Sequence, residues 1–235
     1  MGSINKTVNR VFFWFVTGIL RVFFGLLTKL CYVGPAHIPR GSLLLVCNHI
    51  SHFDPPIMGA LFPRKIDFMA IKELFHGPFW SGFFHLLDVF PVERGAVDPG
   101  AIRTVLQRLK QGRIVCLYPE GGIRSGNRSI LTGAGSASNA AALARMADVP
   151  VRVSIIIGPD QLYRWQNLFQ RRPVYFIVGS EFQIDKNLPT KEARQKLSTQ
   201  IETEFRELYA SFLSTYTPPD YVLPHTAQER WALKI

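Results

Sequence analysis

The sequence predicts an α/β domain, a mainly parallel sheet flanked by helices, preceded by a hydrophobic membrane-interface helix or two-helix motif. Two observations predict the domain. From Gly34-Pro35 onward, apolar runs of strand length alternate with segments of helical period, and several of those segments have readable ends. A third observation predicts the anchor: Val11–Val33 reads VFFWFVTGILRVFFGLLTKLCYV, apolar apart from Thr17, Arg21, Thr28, Lys29 and its glycines.

As one helix, those 23 residues would reach about 35 Å at ~1.5 Å each, enough to cross a ~30 Å hydrocarbon core. Arg21 at the centre argues against a span, because insertion there costs roughly 2.5–3.5 kcal/mol. Lys6, Arg10, Thr17, Arg21 and Thr28 are spaced by alternating fours and sevens, which puts all five on one stripe of a helix. A thin cationic stripe beside a broad aromatic face fits a helix lying in an anionic bilayer surface, the stripe toward headgroups. Gly18 and Gly25 are the places where it could divide in two.

Next come the strands, expected at Leu43–Cys47, Ile66–Ile71, Val89–Val92, Ile114–Tyr118, Val151–Ile157 and Val174–Val178. Asp98-Pro99 supplies an N-cap and a first-turn proline to a helix with Ile102, Val105, Leu106 and Leu109 inward, and Gly112 ends it. Gly133–Ala147 is rich in Ala and Gly and predicts a helix packed closely on the sheet. Thr190–Leu213 predicts a longer amphipathic helix with Ala193, Leu197, Ile201, Phe205, Leu208 and Phe212 inward. The chain thus divides into an anchoring segment at 1–33, a domain at 34–214, and a tail at 215–235 without periodicity or an assigned role.

A formal charge of +10 implies an anionic partner: nucleic acid, a phosphorylated substrate or an acidic membrane surface. A nucleic-acid binder would interleave basic side chains with exposed aromatics on one element. Here the aromatics concentrate in the N-terminal helix, so no nucleic-acid partner is expected. Three cysteines at no metal-ligand spacing fit a reducing compartment, and with the apolar helix they place the chain on the cytoplasmic face of a membrane, expected to be the bacterial inner membrane, as a monotopic protein.

Chemistry concentrates where the strand Leu43–Cys47 ends, in NHISHFDPP. The carboxyl end of a strand is where open α/β sheets collect reactive groups. His49 and Asp54 fit a general base whose carboxylate partner fixes its tautomer. Two other readings stay open from these residues. Asp54 with Pro55 and Pro56 is also a good helix start, and His49, His52 and Asp54 could hold a metal in a hydrolase that chelation would silence.

The blocks NHISHFD, MAIKELFHGPFW at Met69–Trp80, FPVERG at Phe90–Gly95, YPEGGIRS at Tyr118–Ser125 and VPVRVSIIIG at Val149–Gly158, in that order, resemble the glycerolipid (lysophosphatidic acid) acyltransferase family over roughly residues 35–179. The resemblance implies transfer of a fatty acyl group from a thioester to the hydroxyl of a glycerolipid such as 1-acylglycerol 3-phosphate, another lysolipid being the alternative acceptor. It implies no cofactor; acyl-CoA or acyl carrier protein would be the co-substrate. By the same resemblance His49 would be the base and Asp54 its partner, while Arg94, Glu120, Gly121, Gly122 and Arg124 would contact the acceptor. Backbone N–H groups opening the Asp54–Leu61 helix are the expected oxyanion donors. The chain departs from the family pattern at an extra residue in EGGIR, at Asp88 where glycine is common, and at Arg152 and Val153 in the fourth block.

Overall fold

The computed structural model describes residues 2–93, 98–183, 185 and 189–233. A six-stranded sheet organises it, built on β2 (Leu43–Cys47), whose five residues are all buried. Such a run is apolar on both faces because both are covered. Leu43, Leu45 and Cys47 pack toward one layer, and Leu44 and Val46 toward the other. In chain order the elements are α1 (Gly2–Leu27), β1 (Lys29–Val33), β2, α2 (Asp54–Leu61), β3 (Ile66–Asp67), β4 (Met69–Ile71), α3 (Gly77–Leu86), β5 (Phe90–Val92), α4 (Pro99–Lys110), β6 (Ile114–Leu117), α5 (Ser138–Ala147), β7 (Val151–Ile157), β8 (Pro173–Phe182), α6 (Thr190–Tyr216) and α7 (Ala227–Leu233). The strand order is β1-β8-β7-β2-β6-β3, parallel throughout except for β7 against β8.

Helices α4, α5 and α6 cover one face with Val105, Leu109, Ala140, Ala144, Ile201 and Phe205. The alanines of α5 let that helix lie close on β2, as the composition predicts, but it starts at Ser138 rather than Gly133. Gly133 and Gly135 both hold positive φ, at 90° and 84°, which suits a turn and not a helix. Helices α1 and α2 cover the other face with Phe24, Ile57, Met58 and Phe62.

Three expectations need correction. The N-terminal segment is helical only to Leu27, in one unbroken helix, and Lys29–Val33 is a strand paired in parallel with β8. Residues 29–33 therefore belong to the sheet of the domain, on an edge of β8 that hydropathy cannot reveal. The run Ile66–Ile71 divides at Phe68: β3 pairs with β6, while β4 pairs with β5 in a separate two-stranded sheet. Thr17 of α1 and Thr28 just after it are buried rather than turned to headgroups. Each hydroxyl donates to the carbonyl four residues back, Phe13 at 2.8 Å and Phe24 at 2.7 Å, and Thr17 presents its methyl group to α2. Arg10 and Arg21 remain exposed.

The departure at Asp88 has a local cause. Its φ is 61°, a conformation that glycine adopts freely. Asp88 offsets that cost by accepting from Lys65 and from Asn9 of α1 (3.1 Å) and by pairing with Arg113 at 2.8 Å. These partners hold its carboxyl below the ordinary value although burial opposes them. Arg152 likewise turns sideways, donating to the Gly179 carbonyl at 2.9 Å and to Glu181 at 3.2 Å on β8.

Candidate active site

At the carboxyl end of β2 the chain leaves the sheet in two steps. The buried Asn48 side chain continues the ladder in place of backbone, donating to Ile156 O at 2.9 Å and accepting from Ile156 N at 2.7 Å. The backbone is thereby freed to turn, and His49 leaves the sheet plane. Its Nδ1 lies 2.8 Å from Asp54 Oδ2. That same oxygen accepts from the backbone N–H of Ile50 (2.8 Å) and Ser51 (2.9 Å), and Oδ1 accepts from the Ser51 hydroxyl at 2.5 Å. Asp54 is fully buried, and these four partners satisfy its side-chain oxygens there.

Asp54 is therefore not the N-cap of its helix. Phe53 holds that position, and the Asp54 side chain reaches back to close the turn before it. The expectation that this helix start donates to an oxyanion is also overturned. Asp54 N–H bonds Ser51 O, Ile57 N–H bonds Phe53 O, and Pro55 and Pro56 between them carry no N–H. Nor does the histidine cluster converge on one point: His49 faces Asp54, whereas His52 pairs with the Tyr163 hydroxyl.

Two further strand ends frame His49. After β6, Tyr118 stacks on the imidazole with ring centroids 4.2 Å apart and planes 19° from parallel. Burial pushes its phenol well above the ordinary value, so the ring is neutral. Glu120 follows, and its carboxylate is occupied by the protein itself: Oε2 accepts from His49 N–H at 2.7 Å, and Oε1 from Ile130 N–H at 2.7 Å and the Ser129 hydroxyl at 3.1 Å. Burial raises the Glu120 pKa, and those hydrogen bonds work against the rise. Gly121 turns the chain at a φ of 64°, its N–H returning to Tyr118 O at 3.1 Å, and Gly122 is buried behind it. The Arg124 backbone N–H donates to His49 O at 2.8 Å; its side chain is exposed, with Nη1 donating to the Ile123 carbonyl at 3.1 Å. Arg94 lies outside the described residues. Among the described residues beside it, Asp98 accepts from Glu93 N–H and Ala101 N–H, both at 3.0 Å.

A histidine hydrogen-bonded to a buried Asp side chain, at the carboxyl ends of β2 and β6, lies within a region that matches a known family. A family model described as Acyltransferase matches residues 29–154, from β1 into β7 and including His49, Asp54, Glu120 and Arg124. The chain belongs to the glycerolipid acyltransferase family. It is 27% identical over 198 residues to the 1-acyl-sn-glycerol-3-phosphate acyltransferase of Bacillus subtilis, covering 83% of this chain and 95% of that one. It is 30% identical over 135 residues to the lyso-ornithine lipid O-acyltransferase of Pseudomonas aeruginosa, covering 54% of this chain and 51% of that one. The crystal structure of the LPA acyltransferase PlsC from Thermotoga maritima shares the fold, with a TM-score of 0.61 and 21% identity over 87% of this chain and 81% of that one.

This acyltransferase also uses residues to which the sequence assigned no role. Asn48, Ser51 and Tyr118 sit inside the quoted blocks, so the blocks were the signal; Ser129 lies past the end of YPEGGIRS and had none. The tail gave none. Arg230 of α7 is buried, and its Nε donates to Asp160 Oδ2 at 2.8 Å, with further donation to the carbonyls of Tyr221 (3.1 Å) and Leu223 (3.0 Å). Asp160 follows β7, and Gly126, which donates to Pro224 O at 3.2 Å, follows the Glu120 loop. The tail therefore braces two of the loops that surround His49.

Burial pushes the Asp160 carboxyl up to about 6, with Arg230 opposing the rise. Arg230→Met is expected to cost about 3 kcal/mol at pH 8, the scale for breaking a buried pair. Without Arg230 the folded-state pKa rises further, so the extra penalty belongs to the ionised form. It is present at high pH and disappears below about 6, where Asp160 is protonated in both folded proteins. Thermal unfolding at pH 8 and pH 5 checks this: a difference from wild type that does not shrink at pH 5 would refute the assignment.

Proposed function

We propose that this chain transfers a fatty acyl group from an acyl thioester, on CoA or acyl carrier protein, to the free sn-2 hydroxyl of 1-acylglycerol 3-phosphate, giving phosphatidic acid. The observation that carries the reading is the His49–Asp54 pair, 2.8 Å apart at the carboxyl end of β2. With Nδ1 committed to Asp54, Nε2 is the basic nitrogen. It takes the acceptor hydroxyl proton as the oxygen attacks the thioester carbonyl, and the resulting imidazolium is stabilised by the carboxylate. Collapse of the tetrahedral intermediate breaks the carbon–sulfur bond, and the proton on Nε2 passes to the leaving thiolate.

Arg124 supports a phosphate contact, since a guanidinium fork donates two parallel charge-assisted bonds. Its backbone tie to His49 sets the distance between anchor and base. Arg94 takes the second phosphate contact by family resemblance. Glu120 has another assignment: its three internal donors make it the brace that fixes the His49 backbone against the loop at 129–130. A second reading, acylation of another lysolipid, is favoured by the extra residue in this loop.

The test supplies acyl-CoA and acyl carrier protein donors with a panel of lysolipids and follows product by mass. Preference for lysophosphatidate supports the first reading. Preference for an amino-acid-headgroup or phospholipid acceptor moves the substrate to the second, and no acylation with any pair refutes both.

A further inference from the structure

Helix α3 carries GPFWSGFFHL, yet none of its ten residues is buried. Phe79 is 72% exposed and Trp80 54%. Its aromatics pack on one another and on Phe75, with Phe75–Phe84 at 5.3 Å, Phe83–Phe84 at 5.7 Å and Trp80–Phe83 at 6.1 Å between ring centroids. A soluble helix covers such a face, because apolar area left in water forgoes about 25 cal/mol per Å². A contiguous patch of this kind marks a binding surface.

Helix α1 indicates what binds there. By length and composition alone it could cross a membrane. Its packing excludes that course, since Phe13, Thr17, Phe24 and Thr28 are buried along the domain. Phe13 and Thr17 meet α2 at Gly59, where a β-carbon would stand in van der Waals contact with both. The opposite side of α1 is open, with Val11 (64%), Phe15 (63%), Val22 (65%) and Leu26 (70%) exposed. Phe12 stands at the rim of that side and meets Phe83 edge to face at 5.9 Å, which joins the two helices into one apolar surface. Neither helix contains a carboxylate, and the chain carries a formal net charge of +10. A second copy seated on this face would bring two strongly cationic chains together, whereas anionic headgroups would complement them.

We propose that α3 is a second membrane-docking element, an aromatic wedge that enters the same leaflet of an anionic bilayer as the outer side of α1. Trp and Phe suit this depth, the indole having an apolar body and a polar N–H. The β4–β5 pair ties this segment to Val92 and Glu93, and Lys72, just before α3, is paired with Glu93 at 2.9 Å. The purpose of the contact rests on the lipid acceptor proposed above; its existence does not.

The experiment uses the full chain and vesicles of phosphatidylglycerol and phosphatidylethanolamine. Phe79→Ser with Trp80→Ser removes exposed side chains only, so folding is unaffected by circular dichroism. Vesicle co-sedimentation is expected to weaken by at least ~tenfold, while turnover of a short-chain, water-soluble acceptor stays at the wild-type value. In a chain with Trp80 as its single tryptophan, bromine on the acyl chains quenches the fluorescence. Unquenched Trp80 in vesicle-bound protein, or unchanged sedimentation of the double variant, would overturn the proposal. So would a lipid-free wild-type dimer that the double variant dissociates. Vesicle binding is read without turnover, so inactivity on every lysolipid would refute the assigned reaction and leave this inference standing.

Discussion

His49→Ala is expected to lower turnover by roughly 10²–10⁴-fold, the usual contribution of a positioned general base, with little change in thermal stability. The stability half follows from the geometry. Removing the imidazole takes one of the four donors to Asp54; the N–H groups of Ile50 and Ser51 and the Ser51 hydroxyl still satisfy the carboxylate. The loss of one partner from a group so well supplied costs about 1 kcal/mol. The substituted side chain is 12% exposed, so the cavity left behind opens toward solvent. Steady-state kinetics with the preferred acceptor and donor, beside thermal unfolding, decide it. Turnover within about threefold of wild type would remove His49 from the mechanism, where the scale for a base is ~10²-fold at least.

How much of this was legible beforehand depended on whether the decisive contact was local. β2, β6 and β7 announce themselves because a strand buried on both faces must be apolar at every position. The His49–Asp54 pair spans five residues and needs only a turn, so the motif alone locates it. The Asp54 capping assignment failed although the residues allowed it, because the carboxylate found better donors behind it than ahead. The oxyanion expectation failed for a reason already written in the sequence: two of the first residues of that helix are prolines.

Elsewhere the deciding partners lie far along the chain. β1 exists because β8, about 140 residues on, has an edge to fill, and helical periodicity over 11–33 conceals it. The stripe through Thr17 and Thr28 is a real regularity with the wrong meaning, since threonine satisfies its hydroxyl within its own helix and then packs as an apolar residue. The tail lacked periodicity because one buried arginine and the short apolar run Tyr221–Pro224 hold it rather than a helical face. Glu120 shows what a motif leaves unseen: its carboxylate accepts from His49 N–H, the Ser129 hydroxyl and Ile130 N–H, partners that no local pattern announces.

The second large effect separates the charge of Asp54 from its geometry. Asp54→Asn can orient its amide in two ways. Oδ2 receives three N–H groups, from His49, Ile50 and Ser51, so the amide oxygen must stay at that position. Turning the NH2 there would set donor against donor three times at distances near 2.8 Å. The NH2 instead takes the Oδ1 position beside the Ser51 hydroxyl, whose oxygen can accept. Nδ1 of His49 therefore remains the protonated nitrogen, and Nε2 remains basic. What is lost is the stabilisation of the imidazolium by a buried negative charge, about 2.7 kcal/mol for a ~10²-fold fall in turnover. A wrong tautomer would cost about 10⁴-fold, as it does in a serine-protease triad. The fall should appear in kcat with KM and thermal stability close to wild type. Asp54→Ala removes the acceptor altogether, leaves buried N–H groups unpaired, and is expected to lose about 2–3 kcal/mol of stability as well as activity. A fall of ~10⁴-fold in Asp54→Asn would mean that the amide had turned and the tautomer with it. A fall below threefold would mean that the carboxylate only holds the turn, and that His49 works without its charge.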